Sequence, residues 1–205
     1  NALKTQETIR KEGGEASVFV GDVSRHEDCQ AMVNTAVSRY GSLNILFNNV
    51  GISRPGTAVD VKEEDWDTVL DVNLKSVMLT SRHAIPMMIE GGGGAIVNVS
   101  SIDGLRAGWS RNISYAAAKA AVNTMTVSSS RELSPLGIRV NAVSPGVIDT
   151  GQADMLNPKV KSALKDSIPL GKIGDPNDVA SVINWLLSEQ SSYLTGVIVP
   201  VAGGR

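Results

Sequence analysis

A chain of 205 residues, 42% of them hydrophobic, is enough to bury the core of one globular domain. Nineteen Lys and Arg stand against 21 Asp and Glu with no run of five like charges, which argues against a nucleic-acid or anionic-lipid surface. No apolar stretch approaches the ~20 residues of a bilayer span, and the first residues lack a signal-peptide core, so a soluble, cytoplasmic protein is expected. A lone Cys29 excludes an internal disulfide, and two histidines far apart in sequence give no zinc spacing, so no metal is expected.

Residues 3–12 read as a helix ended by Gly13-Gly14, and Ala16-Ser17-Val18-Phe19-Val20 as a strand closing at Gly21-Asp22. Ser24 and Glu27 have capping-box spacing, and Cys29, Met32, Val33, Ala36, Val37 and Tyr40 keep a helical stripe up to Gly41. Leu43-Asn44-Ile45-Leu46-Phe47 is apolar nearly throughout, as a strand buried on both faces of a parallel sheet would be. The segment 62–89 is helical, with Pro86 expected to bend its last turns and with Trp66, Met87 and Met88 read as core or subunit contacts. Gly91 to Gly94 leaves a helix and enters a strand, so it reads as a loop; a phosphate cradle follows a strand and opens a helix. Strands at 95–99, 138–143 and 197–201 then alternate with helices at 114–133, 157–166 and 176–189. This alternation, with no repeat and no linker, predicts an α/β, Rossmann-like, doubly wound parallel sheet and a single domain over 1–205.

Chemistry concentrates around Tyr115-Ala116-Ala117-Ala118-Lys119. Residues four apart share a helix face, so the Lys119 ammonium can approach the Tyr115 phenol. A free tyrosine titrates at about 10, and bringing it near 7 takes ~4 kcal/mol of differential stabilisation, for which a close cation in a partly dry site is a source. Upstream, the strand Ile96-Val97-Asn98-Val99 runs into Ser100-Ser101 and then Gly104, which puts a hydroxyl at the carboxyl edge of the sheet, where α/β proteins bind ligands.

The strand followed by Ser-Ser-x-x-Gly, the Tyr-x-x-x-Lys, Asn-Asn-x-Gly at 48–51 and Pro-Gly-x-x-x-Thr at 145–150 resemble, in order and approximate spacing, the classical short-chain dehydrogenase/reductase family. That resemblance implies an enzyme passing hydride between NAD or NADP and a small-molecule carbonyl or alcohol, with Tyr115 as general acid/base. It further implies that Ser101 bonds the reacting oxygen, that Lys119 lowers the Tyr115 pKa and bonds the nicotinamide ribose, and that Asn73 holds a water linking Lys119 to solvent. For the cofactor it implies Asp22 and Val23 at the adenine and Asn49, Val50 and Gly51 along the adenosine. Pro145, Gly146, Ile148 and Thr150, with Tyr115 and Lys119, would stand at the nicotinamide side. A homotetramer packed through 62–89 and 114–133 follows from the same likeness, whose general tone is that of the carrier-protein 3-oxoacyl reductases.

Some features depart from the family pattern. Val50 stands where Ala is usual, Ala202 replaces an acidic residue before the paired glycines, and Ser101 to Tyr115 is one residue longer than the commonest spacing. Nothing matches the Gly-rich pyrophosphate loop, so the N-terminal strand–helix–strand unit is expected to be absent and the chain to be a fragment. A catalytically inactive fragment, or a relative that binds a nucleotide or partner without turnover, is therefore the alternative. A serine hydrolase is excluded by the lack of a Gly-x-Ser-x-Gly elbow and of a histidine near it. Loops 103–113 and 149–158, with Arg106, Trp109, Arg111 and Met155, are expected to line the substrate pocket. Cys29 reads as a small buried hydrophobe.

Overall fold

Among the described residues four strands form: β1 Ile45–Asn48, β2 Gly94–Val99, β3 Ile138–Pro145 and β4 Ile198–Val201. All neighbours pair in parallel, in the order β1-β2-β3-β4. The structure is a computed structural model that describes residues 2–106, 111–150 and 157–205. The helices are α1 Ala2–Lys11, α2 His26–Tyr40, α3 Glu63–Leu70, α4 Ser76–Glu90, α5 Ile113–Leu133, α6 Pro158–Asp166 and α7 Pro176–Leu187.

Alternate strand residues face opposite ways, and each face has its own core. Leu46, Ile96, Ile138 and Val140 pack with Val33, Ala84, Met88 and Leu133 from α2, α4 and α5. On the other face Val97 and Val143 meet Val179 and Leu186 from α7. Helices on both faces explain why the strands carry apolar residues on both sides. Two glycines of the 91–94 loop are forced by close approach, since a Cβ on Gly94 would stand 2.0 Å from Asn44 O and one on Gly93 2.4 Å from Gly137 O.

Several polar residues inside this core satisfy one another in chains. Asn48 Nδ2 donates to Asn98 Oδ1 (2.9 Å), Asn98 Nδ2 to Thr126 Oγ1 (3.0 Å) and Thr80 Oγ1 to Asn48 Oδ1 (2.7 Å), tying β1 and β2 to α4 and α5. Arg139, within β3, donates to the carbonyls of Leu186, Ser188 and Leu194 and to Ser191 Oγ, holding the end of α7 against the approach to β4.

Two local expectations are corrected. Residues 16–20 form no strand: no ladder neighbour reaches them, and Ala16 O is taken by Gln6 Nε2 and Arg10 Nη2 of α1. Ser24 does not cap α2, whose N-cap is Arg25 with no side-chain bond; instead its amide and hydroxyl both donate to Asp22 Oδ1. The long helical segment also holds a π-helical turn at Asp71–Lys75, between α3 and α4, where Ser76 N–H reaches back five residues to Asp71 O. Pro86 stays within α4.

Candidate functional site

The carboxyl ends of β1, β2 and β3 converge on the first half of α5. Past β2, Ser100 Oγ donates to Lys119 O (3.0 Å), and Ser101 caps the short 3-10 turn Ile102–Gly104 by accepting from Asp103 N–H (3.1 Å). Gly104 lies against α5 so closely that a Cβ would meet the Lys119 carbonyl carbon at 2.7 Å. The Ser-Ser-x-x-Gly spacing thus seats the serine loop on the helix that carries Tyr115 and Lys119.

Lys119 is 3% exposed, and its Nζ donates to Val99 O (2.7 Å) while lying 5.6 Å from the Tyr115 ring centroid. Burial pulls its pKa from 10.5 to about 8. The Tyr115 phenol moves the opposite way: burial raises it above 10.0, the Ser101 hydroxyl pulls it partly back, and the Asp103 carboxylate raises it further. Desolvation thus sets the direction of the Tyr115 shift in the protein alone, with the Lys119 ammonium aimed at the Val99 carbonyl.

Asn73 sits within the π-helical turn and is fully buried. Its Nδ2 donates to Ile52 O (2.8 Å) and Val69 O (2.9 Å), while Oδ1 has no partner. That oxygen faces Gly51 and Lys119: a Cβ on Gly51 would stand 2.7 Å from Asn73 Oδ1 and 3.4 Å from Lys119 Nζ. A buried acceptor beside an ammonium it does not bond is an opening for a small hydrogen-bonding molecule such as water.

The remaining expected positions surround this centre. Asn49, Val50 and Gly51 are exposed at the end of β1. Pro145 ends β3, and Gly146 donates to Val201 O while packing on Ala202, where a Cβ would meet the Ala202 Cβ at 2.8 Å. Ile148 bridges Gly174, and Thr150 is exposed. Asp22 is exposed, its carboxyl held below the usual range by hydrogen bonds from Ser24, and Val23 O accepts from the buried Cys29 Sγ. Arg106 is exposed, whereas Arg111 is paired with Asp60 at 3.0 Å. Trp109 and Met155 lie outside the described residues.

A family model described as "Enoyl-(Acyl carrier protein) reductase" matches residues 1–205. The chain belongs to the short-chain dehydrogenase/reductase family. Among the curated members it resembles, the 3-oxoacyl-(acyl-carrier-protein) reductase FabG of Thermotoga maritima is 41% identical over 191 residues, covering 93% of this chain and 77% of the relative. The same enzyme of Staphylococcus aureus is 37% identical over 198 residues, covering 97% and 80%. A family structure from Burkholderia xenovorans superposes with a TM-score of 0.91 at 34% identity, over 98% of this chain and 79% of that one. An NAD+-bound xylitol dehydrogenase superposes at 0.92 with 31% identity, over 99% and 84%. The protein is thus an oxidoreductase by family, with the expected Rossmann-like sheet.

Two features of this family member escaped the sequence reading. The π-helical turn was signalled only by an Asn within an apolar helix. The two histidines, 57 positions apart, meet across α2 and α4 with His83 Nε2 3.4 Å from His26 Nδ1. Among the described residues no group of three or more His, Cys, Asp or Glu is placed to hold a metal ion, and no helix is long and apolar enough to cross a membrane.

Proposed function

We propose that the chain catalyses reversible hydride transfer between NAD(H) or NADP(H) and a secondary alcohol or ketone, with Tyr115 as the general acid/base. The observation that carries this is the convergence of Ser101, Tyr115, Lys119 and Asn73 at the sheet's carboxyl edge, with the unpartnered Asn73 Oδ1 beside the Lys119 ammonium. A module that only binds a partner has no use for such an arrangement.

The residues present fit the cofactor: an exposed carboxylate at Asp22, a glycine at Gly51 that leaves the centre open, and exposed backbone at Asn49 and Val50. Asp22 and Val23 would hold the adenine end, Asn49, Val50 and Gly51 the adenosine, and Pro145, Gly146, Ile148 and Thr150 the nicotinamide end. When bound, the nicotinamide supplies or accepts the hydride. In reduction Tyr115, its pKa raised by burial, is fully protonated at neutral pH and gives its proton to the carbonyl oxygen, which Ser101 also bonds. Lys119, with a pKa of about 8, passes a proton back to the phenolate, and a water on Asn73 Oδ1 connects Lys119 to solvent.

The FabG relatives make 3-oxoacyl thioesters the first substrates to try, and the xylitol dehydrogenase neighbour adds polyols. A cytoplasmic homotetramer is part of the same proposal. Leu70, Leu74, Met78, Ala121 and Met125 line an apolar surface cleft of about 580 Å³ between the long helical segment and α5, the face four copies would cover. Absorbance at 340 nm with NADH and with NADPH, beside a Tyr115→Phe control, tests the function. Turnover that disappears in the control is the expected result; nucleotide binding with no Tyr115-dependent turnover would make the chain a binding relative instead.

A further inference from the structure

The first turn of α5, which carries Tyr115, has no cap of its own: its N-cap Asn112 makes no side-chain bond to the helix. Uncapped N–H groups at a helix start are satisfied from elsewhere or leave the turn loose. Here the partner is the segment between Gly51 and α3. Ile113 N–H donates to Gly56 O (3.2 Å), and Gly56 N–H donates to Arg111 O (2.5 Å), a two-bond bridge on either side of Asn112. Gly56 is buried against Val61, where a Cβ would stand 2.8 Å from the Val61 Cβ. With its amide turned to suit its neighbours, Asn112 donates to Arg54 O (3.1 Å) and accepts from Ser53 Oγ (2.7 Å).

One ion pair closes the arrangement. Arg111 Nη2 lies 3.0 Å from Asp60 Oδ2, while Asp60 Oδ1 accepts from Thr57 N–H (2.5 Å) and Thr57 Oγ1 (2.8 Å). Those two hydrogen bonds, more than the guanidinium, hold the Asp60 carboxyl below its ordinary range, so it is charged throughout the neutral region. Immediately after the bridge come Ser114, fully buried, and Tyr115.

We infer that residues 53–61 act as a clasp that replaces the missing cap of α5, and that Asp60 and Arg111 are positioning residues that hold Tyr115 in place against Ser101. The inference rests on the proposed role of Tyr115. It makes the Arg111 side chain structural, with its charge directed to Asp60. Proton donors are sensitive to displacement, since an error of about 1 Å in a reacting group can cost a hundredfold in rate. The pair is largely exposed, so opening it gives a smaller effect.

The test compares Arg111→Gln, Asp60→Asn and the conservative Arg111→Lys with the unaltered protein, by steady-state kinetics and by ultraviolet titration of Tyr115 taken as the difference from Tyr115→Phe. Arg111→Gln and Asp60→Asn should each lower kcat roughly fivefold, leave the KM for the nucleotide unchanged and shift the Tyr115 titration downward as water enters. Arg111→Lys should keep most of kcat. Asp103 is the charge that acts on the phenol, and neither member of the pair does; a shifted titration therefore reports a moved or hydrated Tyr115. Unchanged kcat together with an unchanged titration overturns the clasp, as does a raised KM for the nucleotide at constant kcat. If the unaltered protein turns over no ketone or alcohol, the proposed function fails, and the Tyr115 titration alone then decides the clasp.

Discussion

Replacing Lys119 with Met should remove activity and, at neutral pH, make the protein more stable. Lys119 titrates at about 8 in the folded chain against 10.5 for the free side chain, because burial disfavours its charge. That fall amounts to ~3 kcal/mol at 1.36 kcal/mol per pH unit, borne by the folded state wherever both states are protonated, that is below pH 8. Between pH 8 and 10.5 the folded lysine has lost its proton while the unfolded one keeps it, so stability rises with pH by up to ~1.4 kcal/mol per unit. Above 10.5 the penalty is gone. Methionine fits the same volume without the charge, but it loses the 2.7 Å bond to Val99 O, which costs about 1–2 kcal/mol. The net gain at pH 7 is therefore about 1–2 kcal/mol. Urea unfolding of both proteins at a series of pH values from 7 to 10.5, in a Tyr115→Phe background so that the neighbouring phenol does not titrate, isolates the lysine. The variant's advantage should fall through zero within this window and reverse, leaving the lysine protein the more stable by about 1–2 kcal/mol near pH 10.5. Parallel curves would refute the reasoning, since a lysine that costs the fold nothing has no lowered pKa.

Other substitutions follow from the same geometry. Gly104→Ala drives a Cβ to 2.7 Å from the Lys119 carbonyl carbon, and should destabilise the fold by about 1–3 kcal/mol in thermal melts. Gly51→Ala meets Asn73 Oδ1 at 2.7 Å on an exposed stretch of chain; turnover should fall at least tenfold while the melting temperature changes little. Arg139→Met removes the guanidinium from three backbone carbonyls and Ser191, but Ser191 and Asn141 still donate to those carbonyls, so the change should cost about 1–2 kcal/mol in urea unfolding. Ser101→Ala removes the hydroxyl that holds the Tyr115 pKa down. The Tyr115 titration should move upward, read by ultraviolet difference spectra.

The sheet was legible because parallel strands buried on both faces carry their own signature: 94–99 and 138–145 have apolar residues facing both helix layers. The run at 16–20 has the same composition, yet it is no strand, because a strand is a property of two chains and its residues have no ladder partner here. Spacing made the pairing of Tyr115 with Lys119 and the seat of Ser101 readable. It carried no information on direction: that Lys119 Nζ turns to Val99 O, and that burial therefore governs the phenol, depends on where the end of β2 lies. The clasp was hidden for a related reason. Asp60 and Arg111 are 51 residues apart, and only the parallel sheet brings the end of β1 beside the start of α5.

The site departs from the rule that buried polar groups are paired, and it does so selectively. Asn48, Asn98, Thr80 and Thr126, deep between the sheet and the helices, satisfy one another. Asn73 Oδ1, Ser114 Oγ, Asn123 Oδ1 and Ser144 Oγ, by contrast, are buried without partners among the described residues. An unmet acceptor costs about 1–3 kcal/mol, and in a fold of marginal stability such costs persist where something other than stability selects the residue. The π-helical turn belongs to the same account. A regular α-helix through 71–75 would place position 73 elsewhere on its surface, whereas the extra residue in the turn aims Asn73 at Gly51 and Lys119. The interior network fixes the ends of β1 and β2, and the irregular turn adds the one acceptor left open beside the lysine, so the rigid part of the fold presents an unfinished hydrogen-bond chain where the proposed chemistry needs a proton to move.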